Sequence, residues 1–488
     1  MTTTGEAYDV AVIGGGPAGY VAAIRAAQLG GRVVLFEKDR VGGVCLNHGC
    51  IPTKTYLKTA EYIHHIQRAA ERGILVSTGL RVDMPAVAAY KEQVVKKLTN
   101  GVCSLLKSNG VCVVRGKAFL TDPFHVECEG IIYAAKKIIL CGGSQAKPLL
   151  VPGAGHKDVM TSDGILALTD VPKHLGIIGG GIIGCELASA FCAFGSRVTL
   201  IERKDRIVSA WDREVSGELG KGLSQDGVRI CYDSHVKEIA DQNGRPVIVT
   251  EKERIDCDKI LVSIGREADL SCLGALSGQI RLADGRVAVD DTMKTSVDSV
   301  YACGDINGRA MLAHAAFKMG EVAAENCMTK KQRRCDLRFV PSCLYTSPES
   351  AFVGLTQEQA EKRYPQDICV GRFQMAANGR SLASGESRGF VKVIADKKYG
   401  QILGVHMVGG TASEMIAEPA ALMAMEVTVH EAAEQIIHAH PSYSEAFAEA
   451  CADALGRCIH QPPEKRPENS PPQVAGNESV FENSFPSP

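Results

Sequence analysis

The sequence predicts an α/β protein with two Rossmann-like dinucleotide-binding domains and a C-terminal α+β domain. Three observations carry that prediction. The chain has 488 residues, about three times the ~150 that serve as a prior for one domain, so several packed units are expected. One stretch occurs twice, residues 10–39 matching residues 175–204 at an offset of 179 − 14 = 165. From about residue 341 the texture changes to long apolar strands followed by helix.

Each copy of the repeat opens with a short apolar run (residues 10–13 and 176–178), passes through G-x-G-x-x-G, continues in Ala-rich helical periodicity and closes with a second apolar run ending in Glu. That order reads as strand, turn, helix, strand. Between residues 14–37 and 179–202, ten of 24 positions are identical. Gly14 and Gly179 permit the sharp turn, Gly16 and Gly181 let a pyrophosphate approach a helix N-terminus, and Gly19 and Gly184 let helix and strand pack closely. Glu37 and Glu202 stand where a carboxylate accepts hydrogen bonds from an adenosine ribose. Two bound dinucleotides are implied. A carboxylate at Glu202 repels a 2′-phosphate and so favours NAD over NADP, although Arg203, Lys204 and Arg206 follow closely.

In the third unit, residues 390–396 and 401–409 read as strands joined by a polar turn at 397–400, and residues 412–437 read as helix, so strands precede helices. The last stretch, 461–488, holds seven of the 20 prolines together with Asn, Ser and Glu. It cannot bury a core and is expected to be a disordered tail.

Composition excludes other classes. Lys plus Arg is 54 and Asp plus Glu is 56, so the net charge of 54 − 56 = −2 provides no global field for nucleic acid or an anionic membrane. No apolar run approaches the roughly 18 residues of a membrane helix. The opening MTTTGEAYDV has neither a secretory nor a transit pattern, so a cytoplasmic protein is expected. Most of the 18 cysteines stand singly in apolar surroundings, as Cys112, Cys141, Cys192 and Cys303 do, and no zinc-finger spacing occurs.

Cys45 and Cys50 differ from the rest. They lie in GGVCLNHGCIPTK, directly after the first dinucleotide unit, and Pro52 suits the first turn of a new helix. A thiol at a helix N-terminus beside a lysine is driven toward thiolate, and Cys50 and Lys54 are four residues apart on one face. In HAHPSYSEAF, His440 and Glu445 are five apart across a proline, so the carboxylate can fix one imidazole nitrogen and leave the other as a base. His430 and His438 are assigned to structure. In TSVDSVYACGDI, Asp305 follows an apolar strand and a glycine, where it can serve either a ligand hydroxyl or an ordinary turn.

With these residues in view, positions 8–457 resemble the pyridine nucleotide-disulfide oxidoreductases, and within them the dihydrolipoyl dehydrogenases. The motifs are GGGPAGY, GGVCLNHGCIPTK, GGGIIGCE, YACGDI, LYTSPESAFVG and HAHPSYSE, with LAH at 312–314. The resemblance implies FAD held by Gly14, Gly16, Gly19, Glu37, Gly143 and Asp305, with Lys54 beside it, and NAD held by Gly179, Gly181, Gly184, Glu202 and Gly265. It implies a redox disulfide in which Cys45 exchanges with substrate and Cys50 faces the flavin. Lys54 would pair with Glu186, and His440, oriented by Glu445, would serve the site of a second subunit in a homodimer. The implied activity is oxidation of dihydrolipoamide on a lipoyl-carrier domain of a 2-oxo acid dehydrogenase or glycine cleavage complex, with electrons passing to NAD.

On that pattern the chain divides into an FAD-binding domain (1–147, resumed at 269–340), an NAD-binding domain (148–268), a dimerisation domain (341–460) and the tail (461–488). Four features depart from it: Val44 for the usual Thr, His48 for another residue type, Cys141, Gly142 and Gly143 for Ala-Thr-Gly, and Ser442 for Thr. None removes a reactive group. The alternatives are a mercuric or glutathione-type reductase, or a binding subunit with vestigial chemistry. The separated Cys451 and Cys458, the carboxylate at Glu202, and the intact Cys45, Cys50, His440 and Glu445 speak against them.

Overall fold

Strand Tyr8–Ile13 is covered on both faces, as its nearly continuous apolar sequence requires of a central parallel strand. It sits third in a parallel sheet that runs Cys112–Arg115, Val33–Glu37, Tyr8–Ile13, Ile131–Leu140, Val300–Ala302. The ten-residue strand Ile131–Leu140 also closes an antiparallel meander with Ala118–Asp122 and His125–Cys128. The computed structural model describes residues 2–3, 7–76 and 79–462. All but the first two residues of the expected tail, 461–488, lie outside the described residues.

The second copy repeats this plan. Its parallel sheet runs Arg229–Cys231, Arg197–Ile201, His174–Ile178, Lys259–Val262, Val159–Met160. Its meander is Val236–Gln242, Arg245–Thr250 and Arg254–Asp256. The duplication visible over 24 residues therefore extends to a whole five-stranded sheet with its antiparallel flap. A short antiparallel pair, Ser144–Ala146 with Arg266–Ala268, carries the chain from the first unit into the second and back.

The C-terminal unit is an antiparallel sheet in the order Ser342–Leu344, Ser350–Gly354, Ile402–Val408, Phe390–Asp396, Ile368–Gln374. Helix Glu445–Ala454 packs through Phe447, Ala450 and Cys451 into its core. The single helix expected over 412–437 is three: Ala412–Met415, Ala417–Ala424 and Val429–Glu434. Glu426 takes a left-handed φ of 59°, and Thr428 starts the last segment with a capping box to Glu431. Helices Gln357–Arg363 and Gly379–Ser384 also interrupt the strands, so strands do not simply precede helices. The overall class is α/β with two dinucleotide-binding units and a C-terminal α+β domain.

The three units share one apolar cluster. It joins Tyr56, Leu57 and Ile63 of the first, Cys185, Leu187 and Phe191 of the second, and Leu344, Phe390 and Val408 of the third. A buried ionic group reinforces the seam: Lys392 Nζ lies 3.0 Å from both Asp212 oxygens and 2.8 Å from Glu214, which also pairs with Arg372 at 2.7 Å.

Candidate active site

The first dinucleotide turn and the cysteine segment are locked together by glycine. Gly42 N–H donates to Gly15 O at 2.8 Å, and a Cβ on Gly43 would lie 2.7 Å from Gly16 Cα, so only glycine allows the approach. Cys45 thus falls in the short helix Gly43–His48, and Cys50 is the first residue of helix Cys50–Gln67. There it faces the positive end of an 18-residue helix.

The two sulfurs are free thiols that hydrogen-bond to each other, and their acidities diverge. The hydrogen bond from Cys45, helped by Lys54 against the opposing effect of burial, lowers Cys50 to about 7. The same hydrogen bond, together with burial, pushes Cys45 well up. The first proton lost by the pair therefore leaves a thiolate on Cys50.

Lys54 reaches both oxygens of Glu186 at 2.9 Å. Glu186 comes from helix Ile182–Ala193 of the second unit and is 3 % exposed. Its Oε1 also accepts the backbone N–H of Tyr345 at 3.1 Å, and the Lys54 ammonium lies 4.6 Å from the centroid of the Tyr345 ring. One residue from each unit meets beside the cysteines.

These groups border one continuous cavity of about 1460 Å³. It brings together Cys45, Cys50, Lys54 and Glu186 with Gly14, Gly16, Glu37, Gly143, Asp305, Gly179, Gly181, Glu202 and Gly265. Gly19 and Gly184 lie behind the turns: a Cβ there would sit 1.7 Å from Gly14 O and 2.0 Å from Gly179 O. Gly16 and Gly181 behave oppositely. A Cβ would meet only Gly43 Cα at 3.9 Å in the first case and nothing within 4 Å in the second. Chain packing does not demand glycine there, and the space opens onto a helix N-terminus whose N–H groups lack side-chain caps. The open space at both turns fits a pyrophosphate.

The closing glutamates are set identically. Glu37 Oε2 accepts Gly15 N–H and Glu202 Oε2 accepts Gly180 N–H, each at 2.7 Å. Lys204 Nζ turns to Ser209 Oγ at 2.9 Å and Arg206 to Asp205 at 3.5 Å, so both basic groups have partners away from the Glu202 carboxylate. Asp305 Oδ2 accepts the Ser144 hydroxyl at 2.6 Å, and Ser144 Oγ accepts Arg266 Nε–H at 2.7 Å. His48 Nε2 pairs with Asp39 at 3.2 Å rather than with the cysteines.

His440 and Glu445 are not among the residues bordering the cavity. Glu445 Oε1 lies 2.8 Å from His440 Nδ1, while Oε2 accepts the Ser442 N–H at 2.7 Å. Burial raises Glu445, but the Ser442 N–H and His440 outweigh it and hold the carboxyl below its usual range. The His440 side chain is 79 % exposed, so Nε2 is presented outward. His438 is bound to Glu418 at 2.7 Å and His430 packs beside Gly400.

Sequence reasoning did not single out Tyr345, Ser144 or Arg266. The first lies inside LYTSPESAFVG and the last directly follows Gly265, but neither an aromatic at a strand end nor an arginine after a turn announces a role by itself.

Comparison with known proteins gives a consistent picture. The model of the family described as "Pyridine nucleotide-disulphide oxidoreductase" matches residues 8–320, and that of its dimerisation domain matches residues 340–451. A dihydrolipoyl dehydrogenase of Bacillus subtilis is 37 % identical over 461 residues, 92 % of this chain and 99 % of that one. One from Thermus scotoductus is 40 % identical over 93 % and 99 %. Among solved structures, the HOCl-induced flavoprotein disulfide reductase RclA of Escherichia coli superposes with a TM-score of 0.82 at 28 % identity, over 91 % of this chain and 99 % of that one.

Proposed function

Because the chain belongs to the pyridine nucleotide-disulphide oxidoreductase family, we propose that it oxidises protein-bound dihydrolipoamide to lipoamide and reduces NAD⁺ through Cys45 and Cys50. It is a flavoprotein oxidoreductase using FAD and NAD, and it carries the family's dimerisation domain. The observation that supports this substrate and these roles best is the single cavity in which the thiol pair, the Lys54/Glu186 ion pair and both open pyrophosphate turns face one another. Gly14, Gly16, Glu37, Gly143 and Asp305 would hold FAD, and Gly179, Gly181, Glu202 and Gly265 would hold NAD. The chemistry these groups supply when bound is two-electron transfer from the reduced cysteine pair to nicotinamide.

The chain's own residues handle the thiols and protons. In the oxidised enzyme Cys45 and Cys50 form a disulfide. The Nε2 of the partner subunit's His440 takes a proton from one dihydrolipoamide thiol, while Glu445 holds Nδ1 and stabilises the imidazolium. The resulting thiolate attacks Cys45 Sγ, breaking the Cys45 to Cys50 bond and forming a mixed disulfide. Cys50 leaves as thiolate, its charge met by the helix N-terminus and Lys54. As the second substrate thiol displaces Cys45 and closes the lipoamide ring, Cys45 takes up the proton that the histidine carried, and the freed histidine accepts the proton of that second thiol and passes it to solvent. Two electrons have then moved from substrate to enzyme and the disulfide bond from enzyme to product, in balance.

Lipoyl-carrier domains of 2-oxo acid dehydrogenase or glycine cleavage complexes supply the swinging substrate in this reading, in the cytoplasm. No helix among the described residues is long and apolar enough to cross a membrane. The test is NADH formation from dihydrolipoamide and NAD⁺. The wild type is expected to turn over and Cys50→Ser to lose turnover while remaining yellow with FAD. Turnover by Cys50→Ser removes the proposed role.

A further inference from the structure

The domain that pairs subunits also reaches into the redox centre through one side chain. Tyr345 follows Leu344, which is fully buried in the cluster shared by all three units. Its ring packs against that cluster, so its position is fixed by the seating of the C-terminal domain. From there it makes two contacts with the same ion pair. Its N–H donates to Glu186 Oε1 at 3.1 Å, and its ring centroid lies 4.6 Å from Lys54 Nζ. Two of the three ammonium N–H bonds can serve the Glu186 oxygens at 2.9 Å, and the ring takes the charge from another side.

We propose that Tyr345 is a positioning residue for Lys54, through which the seating of the C-terminal domain sets the thiolate character of the Cys45/Cys50 pair. Glu186 alone would draw Lys54 toward itself and its own negative charge opposes a thiolate on Cys50. An aromatic face attracts the cation without adding a full negative charge, so it holds Lys54 in place without cancelling its effect. The groups acting on the pair are Lys54 on the same helix, Glu186 from the second unit and Asp305 from the turn at Gly304–Asn307. Tyr345 is the contribution of the third unit. Cys343, two residues back in the strand that ends at Leu344, also borders the cavity, and burial raises it to about 11, so it remains a neutral thiol.

This inference rests on the reading of Cys45 and Cys50 as the redox pair, and the experiment separates the two. Holoenzyme is fully reduced, pulsed with iodoacetamide across a pH series, and the alkylated cysteines are located by peptide mass spectrometry. The wild type is expected to show half-maximal alkylation of the pair near pH 7, and Lys54→Met to move that midpoint up by about one unit. Tyr345→Leu is expected to move it in the same direction by a smaller amount, while Tyr345→Phe stays at the wild-type value. Phenylalanines with increasing ring fluorination at position 345 keep the side chain's shape and drain its negative face. They are expected to raise the midpoint stepwise, even if Tyr345→Leu does not fold. If the wild type has no low-titrating thiol at the pair, the redox-pair reading fails. If Lys54→Met shifts the midpoint but the fluorinated series stays flat, Tyr345 is only packing and the inference is overturned.

Discussion

Cys50 becomes acidic because Cys45 hydrogen-bonds to it and Lys54 stands four residues later, outweighing burial. The pairing of Cys50 with Lys54 was readable from their spacing, whereas the hydrogen bond from Cys45 was not. The partner of Lys54 was placed by family resemblance, since nothing in local spacing links residue 54 to residue 186. Tyr345 was not readable at all, because a tyrosine just past a short strand has the same local signature whether it packs or positions a cation. At this scale His440→Gln should slow the thiol half-reaction by about 10²–10⁴-fold, the usual contribution of a general acid or base. Stopped-flow reduction by dihydrolipoamide measures it, and an unchanged rate assigns the proton to another group. The carboxylate of Glu202, with Lys204 and Arg206 engaged elsewhere, predicts much higher kcat/KM for NADH than for NADPH in the reverse direction. Equal values contradict the assignment.

The glycines of the repeated turn serve different ends within one element, and substitution can separate them. Gly184→Ala forces a Cβ to 2.0 Å from Gly179 O, an overpacking that should cost about 1–3 kcal/mol and lower Tm. Gly181→Ala meets no atom within 4 Å, so Tm should hold while KM for NADH rises, because the methyl would occupy the space proposed for the pyrophosphate. Thermal melts and steady-state kinetics of the two variants check the pair of outcomes, and a Gly181→Ala enzyme with unaltered KM removes the cradle. The strand, turn, helix, strand unit was legible because its period and its punctuation agree. The segment 412–437 was not, since one apolar periodicity runs across the break at Glu426 and only the Thr428/Glu431 capping box marks the restart.

Across the whole molecule, the apolar seam and the Lys392 cluster tie the second unit to the third. Arg372 together with Lys392 holds Glu214 down to about 2. Asp212 is also lowered, His406 and Lys392 prevailing over burial. A carboxylate depressed in the folded state contributes stability that is fully present above its ordinary value of 4.5 and lost as pH falls toward about 2. Trp211, the sole tryptophan, adjoins Asp212 and meets the Phe352 ring at 4.8 Å across the seam. Its emission should therefore shift to the red as pH falls through that window, and at higher pH in Lys392→Met, where Asp212 is left buried without its cation. An emission spectrum constant down to pH 2 contradicts this account of the seam.

His440 lies apart from the cavity within one chain and the chain carries a dimerisation domain, which supports the proposal that the complete site is built from two subunits. The most direct test is a purified heterodimer carrying Cys50→Ser in one subunit and His440→Gln in the other. The two parent homodimers should be inactive or nearly so. The heterodimer contains one site with an intact pair and the partner's intact His440, and should oxidise dihydrolipoamide at about half the wild-type rate per dimer. A heterodimer as slow as its parents would contradict a site built across the subunit boundary.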